Sequence, residues 1–391
     1  MNTARFRQLR QARGLSLEAL AAEMGGVVTK QALSKYETGK ATPGPLVMTR
    51  LARAFGVKAI HLAEEPTLIV EFPGYRKRTG LAKKERSRIE GMVTREMEKR
   101  VRLQTLIDVD GDPVPVQAYR VRTLEGAEKA AVKLREEWEL GMDPIANLVE
   151  TLEGHRVHVV EVDAPTTFDG ISAIARDDSG AIVAAGAVTR LGTGGERQRL
   201  NLAHELGHLV LAISTSLKEE DAAFRFAGAL LAPAETIRQE IGSRRSFMHL
   251  EEIQYLRARY GMSMQAIVRR LRDLEVINAT TYKGWCIQFS RQGWKKQEPG
   301  ESLAERPHWF RGAVLRAVSE GLMAASEARI LMGEDVEADL PLSLIEKQAF
   351  ARMPIAERRR LLHRQATDAA ARYNAEIMND QIGGGDFIED D

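Results

Sequence analysis

The sequence has 391 residues, of which 44% are hydrophobic and 28% charged, with a net charge of +1 and a single cysteine. This composition excludes a mostly disordered chain, a collagen and a coiled-coil rod. One cysteine excludes an internal disulfide framework and a Cys-rich zinc site. No apolar run of about 18 residues occurs, and no apolar stretch follows the basic first residues, so we predict a cytoplasmic protein without a transmembrane helix or signal peptide.

The charge is distributed unevenly along the chain. Residues 1–102 contain 21 Lys and Arg but 10 Asp and Glu, so this segment carries +11 and the remainder carries −10. A basic amino-terminal quarter on an acidic body is typical of a polyanion-binding head. Basic helices that are only solvated give the same pattern, so charge alone does not decide between the two interpretations.

The first 62 residues predict short helices joined by tight turns. Ser16 and Thr29 are N-cap candidates for the second and third helices, and Gly56 is a C-cap candidate for the fourth. Five short helices with Gly25-Gly26 between the second and third form a helix-turn-helix pattern. This pattern predicts a DNA-binding domain at the amino terminus.

The rest of the chain predicts an α+β fold that is mostly helical, with a small sheet in a central domain. An amphipathic helix is expected over 81–107, and strands are expected over 157–162, 181–185 and 281–290. The predicted domains are a helix-turn-helix domain over 1–65, a basic helical linker over 66–110, a central domain over 111–300, a helical region over 301–382 and a disordered acidic tail over 383–391.

The most informative motif is His204-Glu205-Leu206-Gly207-His208 on a predicted helix. Residues four apart lie on one helix face, so both imidazoles can reach one Zn²⁺ at about 2.0–2.1 Å. Glu205 lies beside the ion, where it can take a proton from the attacking water and pass it to a leaving amine. Manganese is an alternative metal, because this donor set does not strictly select zinc.

A site with two histidines needs a third protein ligand. The next predicted helix carries Glu220 on the same stripe as its apolar residues, where a carboxylate is costly unless it meets a cation. Glu219 is the alternative ligand, and Asp221 is expected to point outward. Two histidines and one glutamate leave a coordination position open, as in catalytic zinc sites.

These residues resemble the ImmA/IrrE family of metallopeptidases. The resemblance rests on residues 196–208, the Glu-x-x-Ala-x-x-Phe-Ala helix that follows, and the segments Trp138–Gly141, Phe168–Gly170 and Tyr260–Ala266. It covers about residues 66–300 and implies a zincin-like metallopeptidase domain in which His204, His208 and Glu220 hold zinc and Glu205 is catalytic. Many members have Asn where this chain has Phe224.

The remaining histidines are weaker candidates. His155 and His158 lie at the edge of a predicted strand, and His249 begins a predicted helix. We expect each of them to be a surface or packing residue.

The head resembles the XRE/Cro-repressor class of helix-turn-helix domains over Gln31–Glu37, Gly39 and Lys40. In this class the third helix enters the major groove, which implies base-edge or phosphate contacts from Lys30, Gln31, Ser34 and Lys35. Lys40 and Arg10 are the implied phosphate contacts. Operator binding is expected to need a homodimer. A helix-turn-helix used only for protein docking is the alternative.

The leading prediction is a DNA-binding transcriptional regulator with zinc-dependent endopeptidase activity. Its partners are double-stranded DNA and, by family resemblance, a protein substrate such as a repressor or toxin-system partner; no membrane is involved. The alternative is a non-proteolytic transcription factor or antitoxin whose metal fold acts as a sensor. Residues 353–366 resemble short antitoxin tails, although a generic amphipathic helix is favoured there.

Overall fold

The computed structural model of the protein describes residues 1–57, 59–63, 68–73, 81–107, 115–294, 298–300, 302–332, 353–355, 357–360, 363 and 367. The chain forms two compact units, residues 1–313 and residues 314–391. None of the helices within the described residues is long and apolar enough to cross a membrane. Every site considered below lies in the first unit.

The head consists of four α-helices and a short 3-10 helix. Its elements are α1 (Thr3–Ala12), α2 (Leu17–Glu23), α3 (Lys30–Glu37), α4 (Pro45–Phe55) and the 3-10 helix Ala59–Leu62. The predicted caps are confirmed, since the Ser16 and Thr29 side chains accept hydrogen bonds from the amides of Ala19 and Ala32, and Gly56 has φ 65°. The predicted five-helix head is confirmed, with the 3-10 helix as its fifth element.

The head has its own apolar core. Phe6, Leu20, Leu33 and Leu51 are fully buried, and the Phe6 ring meets Phe55 edge to face at 5.7 Å between centroids. The helices pack on this core because each contributes an apolar stripe at helical spacing. α3 is therefore anchored through Leu33, and its opposite side faces solvent.

A long helix, α5 (Lys83–Ile107), lies between the head and the central sheet. Towards the head, a β-carbon at Gly91 would lie 2.7 Å from the backbone nitrogen of Ala12, so only glycine allows α5 and α1 to approach this closely. Arg5 of α1 also donates to Glu98 of α5 at 2.5 Å. Towards the sheet, α5 buries a stripe that includes Ile89, Val93 and Met97.

The segment expected to be a linker is therefore integrated into the first unit. Its helix is present, but it packs on both neighbours, and a short strand, β1 (Ile69–Glu71), precedes it. β1 pairs with a strand of the central sheet. Charge and helical periodicity predicted the helix, whereas its contacts depend on residues far away in sequence.

Besides β1, the central sheet contains β3 (Val157–Val162), β4 (Gly170–Arg176) and β5 (Ile182–Arg190). Its strand order is β1-β4-β5-β3. β5 runs parallel to β3 and antiparallel to β4. The strands predicted over 157–162 and 181–185 are confirmed. A second, two-stranded parallel sheet pairs β2 (Tyr119–Val121) with β6 (Leu211–Ile213).

Helices cover the sheet and build the rest of the first unit. They are α6 (Leu124–Glu137), α7 (Leu148–Gly154), α8 (Gly195–Val210), α9 (Glu219–Leu231), α10 (Ala234–Ile241), α11 (Leu250–Tyr260), α12 (Met264–Asp273) and α13 (Ala279–Arg291). α8 contacts β4 and β5 on one side and α9 on the other.

The strand predicted over 281–290 is wrong, because these residues form α13. Asn278 caps this helix by accepting from the Thr281 amide, and Trp285 and Phe289, four residues apart, bury their rings in the core. Aromatic and β-branched residues favour strands in isolation, but here their helical spacing prevails.

Two further helices follow, α14 (Trp309–Ser319) and α15 (Ala325–Met332). They agree with the predicted helical character of this region. Residues 356, 361, 362 and 364–366 of the 353–366 motif and the whole acidic tail over 383–391 lie outside the described residues. The predicted domain boundaries stay predictions.

Candidate metal centre and DNA-binding surface

The close contact of α8 with α9 creates the candidate metal centre. A β-carbon at Gly207 would lie 3.2 Å from both the Cα of Ala223 and the Phe226 ring, so a small residue at 207 permits the two helices to pack tightly. His204 and His208 lie on the face of α8 that meets α9, and Glu220 lies in the first turn of α9. Residues from two separate helices are thereby brought together.

The three predicted ligand side chains converge on one point. The Nε2 atoms of His204 and His208 are 3.1 Å apart. Glu220 places one carboxylate oxygen 3.3 Å from His204 Nε2 and the other 3.4 Å from His208 Nε2. Both imidazoles are buried, whereas the Glu220 side chain is 39% exposed. Among the described residues, this is the group of three ligand-type side chains that could hold an ion.

These distances fit a tetrahedral zinc site. Donors bound at about 2.0–2.1 Å in tetrahedral geometry lie about 3.3–3.4 Å from one another, close to the separations observed. Burial acts to lower the pKa of His208, but the carboxylates of Glu219, Glu220 and Glu205 raise it to about 9. The surroundings therefore favour a positive charge at this point, which a divalent cation can supply.

Glu220, rather than Glu219, faces the shared point. Glu219 lies 3.7 Å from the Nδ1 atom of His208, which is the ring nitrogen on the side away from Glu220. It is placed to orient the imidazole rather than to share an ion with both histidines. Asp221 is exposed, as expected. The geometry thus favours Glu220 as the third ligand, and the ligand roles stay predictions.

Glu205 packs against the sheet, where it is 2% exposed. The Ser172 hydroxyl of β4 donates to its Oε2 atom at 2.8 Å and lies 3.0 Å from its backbone oxygen. A β-carbon at Gly170 would lie 2.9 Å from Oε1, so glycine leaves room for the carboxylate. Sequence reasoning missed Ser172, although it lies two residues beyond the Phe168–Gly170 segment that carries part of the family resemblance.

Phe224 adds an aromatic surface beside the candidate centre. Its ring lies 4.1 Å from the His204 ring, centroid to centroid, and 52% of the residue is exposed. It follows Glu220 by one helical turn on α9. The departure from the family pattern noted at this position therefore lies directly against a predicted metal ligand.

The remaining histidines near the sheet and helices have packing roles. His155 stacks on Trp138 at 4.1 Å, and His158 is buried beside Trp309, where burial and nearby Arg100 and Arg156 lower its pKa to about 3. His249 is the N-cap of α11. These positions agree with the packing interpretation.

The exposed side of α3 carries most of the predicted DNA contacts. Lys30, Gln31 and Lys35 are exposed, Ser34 is half-buried, and Lys40 is exposed just beyond the helix. Lys30 forms an ion pair with Glu18 of α2. Because both partners are exposed, this pair contributes little to stability and can be exchanged for a phosphate.

Arg10 does not belong to this surface. It donates to Glu37 at 2.8 Å and to the Leu15 carbonyl at 2.7 Å, and its side chain is 16% exposed. Arg7 donates to the same Glu37 carboxylate at 3.0 Å. Arg10 therefore braces the head, and its predicted phosphate contact stays a prediction.

Comparison with known families identifies two domain types in the chain. Residues 6–62 match the family model described as Helix-turn-helix, and residues 194–272 match the model described as IrrE N-terminal-like domain. No curated protein matches the chain. The predicted fusion is confirmed: an XRE-type helix-turn-helix domain precedes an IrrE/ImmA-like, peptidase-like domain.

The Ser172 contact with Glu205 gives a direct prediction. If Glu205 is the proton acceptor of a peptidase reaction, as the sequence predicts, Ser172→Ala should lower kcat by about tenfold to a hundredfold, because a hydrogen bond to a charged group contributes about 1.5–3 kcal/mol. KM and zinc content should not change. The rates are measured by mass spectrometry on peptides that the wild type cleaves in a proteome-derived library.

The matched control is Thr189→Val on the neighbouring strand. Thr189 is fully buried, and its hydroxyl has no hydrogen-bond partner among the described residues. Its removal should leave kcat unchanged. Equal losses in both variants, or none in Ser172→Ala, would contradict a positioning role for Ser172.

Proposed function

We propose that the protein is a DNA-binding transcriptional regulator that is also a zinc-dependent endopeptidase. The observation that carries the proposal is Glu205, a buried carboxylate on the same helix turn as two convergent histidines and held by a dedicated hydrogen bond. A site that only senses a metal needs the ligands but has no use for a fixed proton acceptor beside them. The proposal therefore assigns hydrolysis, rather than metal sensing alone.

In the proposed reaction, His204, His208 and Glu220 hold the zinc ion. The bound ion supplies Lewis-acid chemistry that makes water more acidic and polarises the scissile carbonyl. Glu205 accepts a proton from the water whose oxygen forms the new bond to the carbonyl carbon. It then delivers that proton to the amide nitrogen as the carbon–nitrogen bond breaks. The products are a carboxylic acid and an amine, which at neutral pH become a carboxylate and an ammonium group, and Glu205 is regenerated.

Each neighbour of Glu205 contributes to this proton transfer. Ser172 fixes the Oε2 oxygen, and the missing side chain at Gly170 leaves space around Oε1. A Glu219 oxygen lies 3.7 Å from Nδ1 on the far side of the His208 ring, where its negative charge acts on the imidazole. Such outer contacts orient ligands and raise their basicity.

The substrate that fits this chemistry is a polypeptide. By resemblance to the ImmA/IrrE family, we propose a repressor or a toxin-system partner protein. The head would bring the peptidase-like domain to DNA, because α1 is fixed on α5 and α5 is fixed on the sheet. A homodimer would present two α3 helices to successive major grooves, as is usual for this class.

The test of the enzyme function is Glu205→Gln. Glutamine keeps the size and can hydrogen-bond to Ser172, but it cannot accept the proton, and general-base catalysis contributes about 10²–10⁴-fold in rate. We expect cleavage in the peptide library to fall by at least about a hundredfold, with zinc content, thermal stability and DNA binding unchanged.

Glu136→Gln is the matched control, since Glu136 is an exposed carboxylate on α6. It should cleave at the wild-type rate. If the wild type cleaves nothing, or if gene regulation in cells is the same with Glu205→Gln, the endopeptidase proposal is wrong and the sensor or antitoxin function takes its place.

The DNA-binding function is tested on duplexes selected from a random library by the full-length protein. Gln31→Ala should reduce the free energy of DNA binding by about 1–3 kcal/mol and relax specificity at one base pair. Lys40→Ala should instead weaken binding to all sequences alike, and it should reduce the slope of log affinity against log salt concentration by about 1. Lys283→Ala, an exposed lysine on α13, is the control and should change neither quantity.

Selection of no sequence from the library would contradict the DNA-binding proposal. Equal effects of Lys40→Ala and Lys283→Ala would also contradict it. The head would then be a protein-docking domain.

A further inference from the structure

A cavity of about 610 Å³ begins one helical turn from the candidate metal centre. On α9 its wall continues the stripe that starts at Glu220, through Phe224 to Gly228. On α8 it continues the histidine stripe towards the helix start, through Asn201, Leu200 and Arg197. The cavity is therefore the extension, along the α8–α9 groove, of the site that holds His204, His208 and Glu220.

The arginines around this cavity are neutralised by carboxylates of the protein. Arg257 donates to Glu196 at 2.8 Å, and Arg269 donates to Asp273 at 3.0 Å. The remaining lining arginines also form ion pairs, Arg197 with Asp169 and both Arg225 and Arg270 with Glu128. Among the described lining residues, therefore, every arginine is paired with a carboxylate, whereas a phosphate or nucleic acid would be bound by unpaired positive charge.

Apolar side chains supply the surface that a ligand would contact. Leu200, Met262, Tyr282 and Trp294 line the cavity together with Phe224. Phe224 leaves 52% of its surface exposed while its ring lies on His204. An exposed aromatic ring between a predicted metal ligand and the apolar part of this cavity is suited to contact a ligand that spans both.

The distance of about one helical turn between the candidate metal centre and the cavity also fits a bound polypeptide. One helical turn rises about 5.4 Å, and an extended chain advances about 3.3–3.6 Å per residue. A peptide whose scissile bond lies at the centre would place the side chain one or two residues away at the cavity mouth.

We propose that this cavity is a substrate subsite that accepts a large apolar side chain one or two residues from the scissile bond, with Phe224 as its specificity-determining wall. The inference rests on the proposed endopeptidase function and adds the substrate class. The protein selects peptide segments with an aromatic or long aliphatic residue beside the cleavage site, because such a side chain gains by burial against Phe224 and the other apolar lining residues.

The test uses the zinc-loaded, full-length Glu205→Gln protein and two hydroxamates, those of N-acetyl-phenylalanine and N-acetyl-alanine. The hydroxamate group binds zinc in both, so the difference in affinity reports what the side chain contacts. We expect the benzyl compound to bind at least about tenfold more tightly by calorimetry, because an aromatic ring gains by burial. Phe224→Ala should reduce this preference to less than about threefold.

Phe247→Ala is the matched control. Phe247 is equally exposed, at 61%, and its ring also lies against a histidine, His249, but it does not line the cavity. It should keep the full preference, and both variants should retain zinc.

Equal affinities of the two hydroxamates for the protein that retains both phenylalanines would overturn the subsite. An equal loss of preference in Phe224→Ala and Phe247→Ala would also overturn it. Neither result affects the endopeptidase proposal, which the cleavage assay tests separately. If neither hydroxamate binds, the zinc site itself is wrong and the subsite fails with it.

Discussion

The close contact between α8 and α9 is the constraint on which the candidate site depends. At Gly207 a β-carbon would lie 3.2 Å from the Cα of Ala223, which is tighter than an ordinary contact, so glycine suits this close packing. Because the helices pack this tightly, His204, His208 and Glu220 reach one point with donor separations that suit zinc. The same groove continues past Phe224 into the cavity, so the ligand set and the proposed subsite have a common structural origin.

The sheet, α5 and the head pack one after another on the side of α8 that does not contact α9. The opposite side of α8 packs on β4 and β5, which places Glu205 against Ser172. The other face of the sheet receives α5, and α5 in turn receives the head through Gly91 and the Arg5–Glu98 ion pair. The predicted DNA-binding surface and the candidate metal centre are therefore built on one continuous series of packed elements within the first unit.

The features that could be predicted from sequence are local. The spacing of His204 and His208, the cap at Ser16 and the strand over 157–162 depend on neighbouring residues, and periodicity or capping rules identify them. Ser172 was not predicted, because its contact with Glu205 joins residues 33 positions apart. The contact of Arg10 with Glu37 was missed for the same reason, since the two residues lie on different helices. The apolar stripe of α9 favoured Glu220 over Glu219 as the third ligand but left both possible. Only the packing of α9 shows that the Glu220 carboxylate faces both imidazoles.

The most direct test of the account is the zinc content of two neighbouring variants, Glu220→Ala and Glu219→Ala, measured by mass spectrometry of the purified full-length protein. We predict that Glu219→Ala retains about one zinc per chain, because the ligands His204, His208 and Glu220 remain. Glu220→Ala should lose most of its zinc while keeping its circular dichroism spectrum. Full occupancy in Glu220→Ala, with loss in Glu219→Ala, would contradict the assigned ligand set.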